Sequence, residues 1–247
     1  MDDVALISNN KKEMQKMLDI TDRTAKEYHI KFGEGKSKVL KLGKQKEEEK
    51  FKLGDMSLEY TDKYKYLGIT INNKNNMTDQ IKEMKSKTEA AFQTILHLAR
   101  DRDFKGIEME IIWKLVETCI YPIILYSAET WQLNKKETKE INRILENIIR
   151  RILITPFTTP REALYTETGT ISIEYIAKEN RIMYKNKLKN QDVSIQKTLT
   201  TQNTGKGWKI TTNEIMQEIN IVEEDLQESK NLTKATIKGK INEAFKK

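Results

Sequence analysis

Apolar positions change their spacing near residue 77, and that change divides the chain. Upstream, Val4-Ala-Leu-Ile7 is a short apolar run between two aspartates and Ser8-Asn-Asn10, the pattern of a buried strand leaving a hairpin. Met14, Met17, Leu18, Thr21, Ala25 and Tyr28 then fall at helical spacing behind Asn9 or Asn10, either of which suits a helix cap. His29-Ile-Lys-Phe32 and Ser37-Lys-Val-Leu-Lys-Leu42 alternate as strands do, around Gly33 and Gly35. Lys44 to Lys50 reads as a charged loop, and Phe51 to Tyr60 with Tyr64 to Ile71 predicts a hairpin. Residues 1–72 are therefore expected to be α+β.

After the polar linker Asn72-Asn-Lys-Asn-Asn76 the period becomes 3.6 residues. Met77, Ile81, Met84, Thr88, Ala91, Phe92, Ile95 and Ala99 make one stripe. Ile107, Ile111, Ile112, Leu115 and Val116 make a second, and Ile141, Ile144, Leu145, Ile148, Ile149, Ile152 and Leu153 a third. The stripes predict helices packed on one another, with Ile81, Met84, Phe92, Ile95, Leu115, Ile144 and Ile148 inside. Pro156 and Pro160 end the third helix, because proline removes a ladder N–H and drives its predecessor to an extended conformation. A fourth helix is expected over about 172–188. Residues 190–212, rich in Thr, Gln, Asn, Lys and Gly, predict a linker, and 213–247 predict C-terminal helices.

Composition narrows the class. Among 247 residues, only 10 are Gly and 3 Pro, which argues against a turn-dense all-β fold. Hydrophobic residues make 37% and charged residues 33%, so the interior is small for the length or spread along helices. Lys and Arg number 44 against 37 Asp and Glu, a net charge of +7 that suggests a polyanionic partner. Cys119 is the one cysteine, so no internal disulfide forms; a core position is expected for it. The longest apolar run, Cys119 to Tyr126, falls far short of the ~20 residues that span a bilayer. Asp2 and Asp3 stand where a signal peptide would carry basic residues. These features predict an intracellular protein of nucleus or cytoplasm, not secreted and not a membrane protein.

The chemistry-bearing residues come in an order. Met1-Asp-Asp-Val-Ala-Leu-Ile-Ser8 puts an aspartate pair at a strand tip; a helix, the lysine-bearing Phe32-Gly-Glu-Gly-Lys-Ser-Lys-Val39 and the aromatic hairpin Tyr64-Lys-Tyr-Leu-Gly-Ile69 follow. This series resembles the later palm motifs of reverse transcriptases of non-long-terminal-repeat, LINE-type retrotransposons. Tyr121-Pro-Ile-Ile-Leu-Tyr-Ser-Ala-Glu-Thr-Trp131 and Pro160-Arg-Glu-Ala-Leu-Tyr-Thr-Glu-Thr-Gly169 are similar to the thumb and post-thumb sequences of the same elements. The resemblance implies a partial palm over 1–72 with a primer-grip hairpin, a helical thumb over 77–155 and a post-thumb helical segment over 156–189.

By that resemblance, Asp2 is a direct magnesium ligand and Asp3 an accessory one. Lys36 would serve the departing pyrophosphate, and Lys65, Tyr66, Leu67 and Gly68 would place the primer end. Nucleotide addition uses two ions ~3.5–4 Å apart, for which carboxylates on a tight hairpin are suited. The family's fingers and first palm carboxylate would precede Met1, so the chain by itself is expected to be a truncated RNA-directed DNA polymerase without activity. Its implied partners are an RNA template and a DNA primer, with no small-molecule cofactor, and self-association through an exposed palm edge is a further expectation. Residue by residue, plainer readings stand beside these: a surface lysine for Lys36, hairpin core for Leu67, a bulge for Gly68. Lys178, Arg181, Lys185 and Lys187 fit either a solvated helix face or a phosphate-backbone track. A non-catalytic basic helical module that binds nucleic acid is the alternative function, and a helical interaction protein a third.

Overall fold

The structure, a computed structural model, describes residues 3–33, 35–43, 50–100, 108–189, 207–226 and 230–246. It forms two compact units, Met1–Gln80 and Ile81–Lys247. The first is α+β and the second helical, as the spacing predicts.

In the first unit, α1 (Lys11–Glu27) begins at Asn10, whose side chain accepts from the N–H groups of Lys12 and Glu13 and so satisfies two otherwise orphaned donors. A three-stranded sheet has the order β1-β3-β2, with β1 (Lys38–Leu40) parallel to β3 (Met56–Thr61) and β2 (Phe51–Leu53) antiparallel to it. Phe51, Leu53 and Leu58 alternate inward and bury against Leu18 of α1, flanked by Leu6, Met14, Phe32, Val39, Met56 and Tyr60. Gly54 turns β2 into β3 with φ +60°, a left-handed conformation that favours glycine, and a Cβ there would stand 2.5 Å from Asp22 Oδ1 and oblige that side chain to shift. Gln15 of α1 lays its amide along β2, donating to the Lys52 carbonyl at 2.9 Å and accepting from its N–H at 3.1 Å.

Two strand expectations fail here. Val4 to Ile7 makes no strand: Val4 is 62% and Ile7 87% exposed, and among the described residues no strand pairs with them. A strand needs a neighbour to satisfy its backbone groups, and apolar sequence does not supply one. His29 to Phe32 is likewise no strand; His29 turns out of α1 with φ +54°.

The second unit contains most of α2 (Thr78–Arg100), then α3 (Met109–Leu115), a π-helical turn (Val116–Ile120), α4 (Tyr121–Ile124), α5 (Lys135–Leu153), α6 (Arg161–Thr168), α7 (Ile173–Lys189), α8 (Trp208–Glu218) and α9 (Lys230–Lys246). Ile81, Met84, Phe92, Ile95, Ile144 and Ile148 are buried as expected, while Leu115 is only half-buried and Ile111 is exposed. Ile112, Val116, Ile120 and Ile124 are the inward residues, at a strict spacing of four. An α-helix drifts about 40° over four residues, and the wider π turn absorbs that drift. The same turn leaves Cys119 exposed rather than in the core.

α5 opens with a reciprocal cap between Asn134 and Glu137 and ends at Ile154, where φ turns to +53°. α7 packs on α5, α8 and α9, and Ile182, Met216, Ile219, Ile221, Leu226, Ile237 and Ile241 form one buried cluster. Residues 190–206 of the expected linker lie outside the described residues. The helix that follows starts at Trp208, earlier than the expected 213, because Trp208 is anchored: its indole donates to the Glu129 carbonyl at 2.8 Å and its ring meets Tyr184 edge-on.

Candidate functional site

The hairpin of β4 (Lys63–Tyr66) and β5 (Ile69–Asn72) carries the four residues expected to place a primer end, Lys65, Tyr66, Leu67 and Gly68. Its register pairs Lys63 with Asn72, Tyr64 with Ile71, Lys65 with Thr70 and Tyr66 with Ile69, which leaves Leu67 and Gly68 as a two-residue turn. Both have positive φ, +47° and +82°. This is the mirror-image turn whose twist matches paired strands, and its first position ordinarily takes Asn, Asp or Gly. A leucine there costs about 1–2 kcal/mol in backbone strain. Leu67 is nevertheless half exposed at the tip, so it is not hairpin core, and Gly68 completes the turn rather than a bulge.

Period two places Lys63 and Lys65, both exposed, on the face opposite Tyr64 and Tyr66. Tyr64 turns the other way, and its hydroxyl donates to the Lys36 carbonyl at 3.0 Å. The structure thus brings the Lys36 loop onto the hairpin, with the Lys36 residue exposed. The base of the hairpin is fixed by the asparagine-rich segment expected as a linker. Buried Asn72 donates to Asn76 Oδ1 at 2.9 Å and Asp79 Oδ2 at 2.8 Å, and accepts from the Asn76 N–H. Asn73 donates to Asp62 at 2.6 Å, and Gln80 Oε1 accepts from the outward N–H of Thr70 at 2.8 Å. These residues buttress the hairpin, and their signal was the density of Asn and Asp side chains able to bond local backbone.

The carboxylate pair is not brought into this arrangement. Asp2 lies outside the described residues, and Asp3 is exposed in the unpaired segment before α1. Among the described residues no group of three or more His, Cys, Asp or Glu side chains could hold a metal ion. Of the two carboxylates expected to ligate magnesium, the described residues include Asp3 alone.

The basic residues of α7 depart furthest from expectation. Arg181 is 3% exposed, and its guanidinium donates to the Thr212 hydroxyl, the Trp208 carbonyl at 2.9 Å, the Thr211 hydroxyl and the Trp131 carbonyl. It also lies 5.2 Å from the Trp208 ring centroid. Burial pushes its pKa down to about 10, so it stays charged at neutral pH. Lys185 is buried too, donating to Asn213 Oδ1 at 2.8 Å, and burial lowers its pKa. Lys178 bridges Glu174 and Glu218, both at 2.8 Å; burial opposes its charge, but the two carboxylates prevail and raise its pKa. Lys187 alone of the four is exposed. Arg181 and Lys185 share an inward stripe with Ala177 and Leu188, so neither a solvated face nor a phosphate track describes them.

The motifs read as thumb-like also resolve into scaffold. Tyr165 is buried, with its hydroxyl donating to Glu146 Oε1 at 3.2 Å, and Glu146 faces Arg150 at 3.8 Å. Burial and then the Glu146 carboxylate hold the Tyr165 phenol far above its ordinary range, and burial followed by Glu117 pushes Tyr121 up to about 12.

No protein-family model matches the chain, and no solved structure matches it. It is similar to a transposon-derived protein of Caenorhabditis elegans, itself uncharacterized, with 27% identity over 165 residues, 65% of this chain and 57% of that protein. The likeness points to a transposon-related origin. The matched part spans little more than half of that relative's length. No helix among the described residues is long and apolar enough to cross a membrane.

Proposed function

We propose that the chain is a reverse-transcriptase segment of a non-long-terminal-repeat, LINE-type element, and that its β4–β5 hairpin engages the end of a nucleic-acid primer. The observation that carries this reading is the hairpin end: a leucine kept exposed in a left-handed conformation at the turn of two strands that carry Lys63 and Lys65 exposed along one face, with Tyr64 held to the Lys36 loop and Thr70 to Gln80. Strain of this kind persists where the surroundings over-determine it, and it clusters at binding sites. In this role the lysines meet phosphates and the tip meets the sugar and base of the terminal nucleotide. The transposon-derived relative supports the ancestry, and the inward turn of Arg181 and Lys185 removes the main support for a separate basic track on α7.

Fluorescence anisotropy with a primer–template duplex across a salt series tests the proposal. Replacing Lys63 and Lys65 together by Gln is expected to reduce the salt slope by about 2, roughly 0.9 for each phosphate no longer neutralised. Parent affinity that is indifferent to salt, or a double variant with an unchanged slope, argues against the hairpin as the binding element.

A further inference from the structure

The segment joining α5 to α6 carries an apolar tip that folding does not use. Ile154 is 91% and Phe157 81% exposed, while Ile141, Ile144, Ile148 and Ile149 of α5 are buried. Ile154 also holds φ +53° and ψ +43°, a genuine outlier for a β-branched residue, and its side chain stands in solvent, where packing cannot compensate. The loop is nonetheless tightly built. The Thr155 N–H donates to the Arg150 carbonyl at 3.0 Å, the Thr159 N–H to the Pro156 carbonyl at 3.1 Å, and Arg150 Nη2 to the Thr159 carbonyl at 3.1 Å. Prolines at 156 and 160 restrict it from both sides. The Arg150 guanidinium sits 6.0 Å from the Phe157 ring centroid, backing one face of the ring.

We propose that residues 154–161 form a stacking site for one base of single-stranded nucleic acid, with Phe157 as the platform and Arg161 as the contact to the adjoining phosphate. The inference rests on the nucleic-acid role proposed above and extends it to a second place on the chain. Size selects the occupant. A protein partner needs about 800 Å² on each side, whereas a phenylalanine offers roughly 150–250 Å², and a base needs a single ring. Charge agrees: residues 154–160 contain no acid. Among the described residues Arg161 pairs with its neighbour Glu162, at 3.6 Å in an exposed pair of the kind that contributes little, so a phosphate can take the place of Glu162. Arg150 acts as a positioning residue, held by Glu146 and by the Thr159 carbonyl.

The test compares the full chain with its Phe157→Ala, Phe157→Trp and Arg161→Gln variants, binding fluorescein-labelled oligouridylate, oligothymidylate and a blunt duplex. Phe157→Ala is expected to weaken both single strands about tenfold, the effect of one stacked base, and to leave the duplex unchanged. Phe157→Trp should retain single-strand affinity and gain a tryptophan emission quenched by either oligonucleotide. Arg161→Gln should lower the salt slope by about 1. Single-strand affinity unaltered by Phe157→Ala overturns the site. Self-association removed by that variant, with oligonucleotide affinity intact, overturns it in favour of a second copy as occupant. A parent chain that binds duplex but neither single strand sinks the stacking site and spares the hairpin; one that binds no nucleic acid at all sinks both.

Discussion

Relieving the backbone at Ile154 should stabilise the protein, and the amount follows from two opposing quantities. An L-residue in the left-handed region costs about 1–2 kcal/mol. Full burial of an isoleucine is worth about 1.5–3 kcal/mol, but with 91% of the residue exposed only about a tenth of that, roughly 0.2 kcal/mol, is at stake. Asparagine tolerates this conformation, so Ile154→Asn is expected to gain about 1 kcal/mol, and Ile154→Gly somewhat less because glycine also loosens the unfolded chain. Ile154→Ala separates strain from exposure: it removes the apolar surface yet keeps a Cβ in the left-handed region, so it should gain no more than roughly a few tenths of a kcal/mol. In thermal unfolding, 1 kcal/mol corresponds to about 2–4 °C for a cooperative unit of this size. Urea midpoints give an independent reading, with an unchanged slope required for a change in stability alone. Equal stabilisation by Ala and Asn, or a loss of stability with Asn, would refute the account of Ile154 as strained.

Arg181→Met should destabilise the second unit by about 2 kcal/mol, since the Trp131 and Trp208 carbonyls lose their donors while part of the cost of burying a charge is recovered. Arg181→Lys should not restore it, because an ammonium cannot fork to four acceptors on different segments; a Met variant as stable as the parent in urea would count against the staple. Stability should also fall as pH rises above about 10. The folded state keeps the Tyr121 proton to about 12, while an unfolded phenol releases it near 10, so the unfolded state binds fewer protons between those values. The loss is on the order of 2 kcal/mol and should be smaller in Tyr121→Phe; parallel stability profiles for the two proteins from about pH 9 to 11 would contradict the assignment.

Local rules carried much of this fold. Helical spacing behind Asn9 or Asn10 located α1, a mixed apolar stripe located α2, a stripe of isoleucines located α5, and proline located the end of α5, because each feature depends on neighbours within a turn or two. The π turn was hidden: Ile112, Val116, Ile120 and Ile124 lie four apart, whereas a stripe of 3.6-residue period runs through Ile111 and Leu115 as well. Val4 to Ile7 has strand-like composition, but pairing depends on another segment, which no local pattern reports. Lys178, Arg181 and Lys185 stand out as charges and read as a solvated face or a phosphate track; the signal missed was the spacing that puts Arg181 and Lys185 on one face with Ala177 and Leu188, all four of them buried. Trp208 had no visible partner in sequence because its contacts, Glu129, Arg181 and Tyr184, lie far along the chain.

The amide of Gln15 against Lys52 makes the integrity of one element guard another. A side-chain amide has the same donor and acceptor as a peptide unit, so at Lys52 the outer edge of β2 meets what amounts to one residue of a neighbouring strand. That stand-in exists only while α1 is helical at Gln15. Fraying of α1 past its first turn would uncover a peptide group flanked by Phe51 and Leu53, a short template on which foreign strands can add. The tendency of this sheet to recruit other chains is therefore governed by the melting of a helix, and the Asn10 cap acts against aggregation at a distance from the strand it protects.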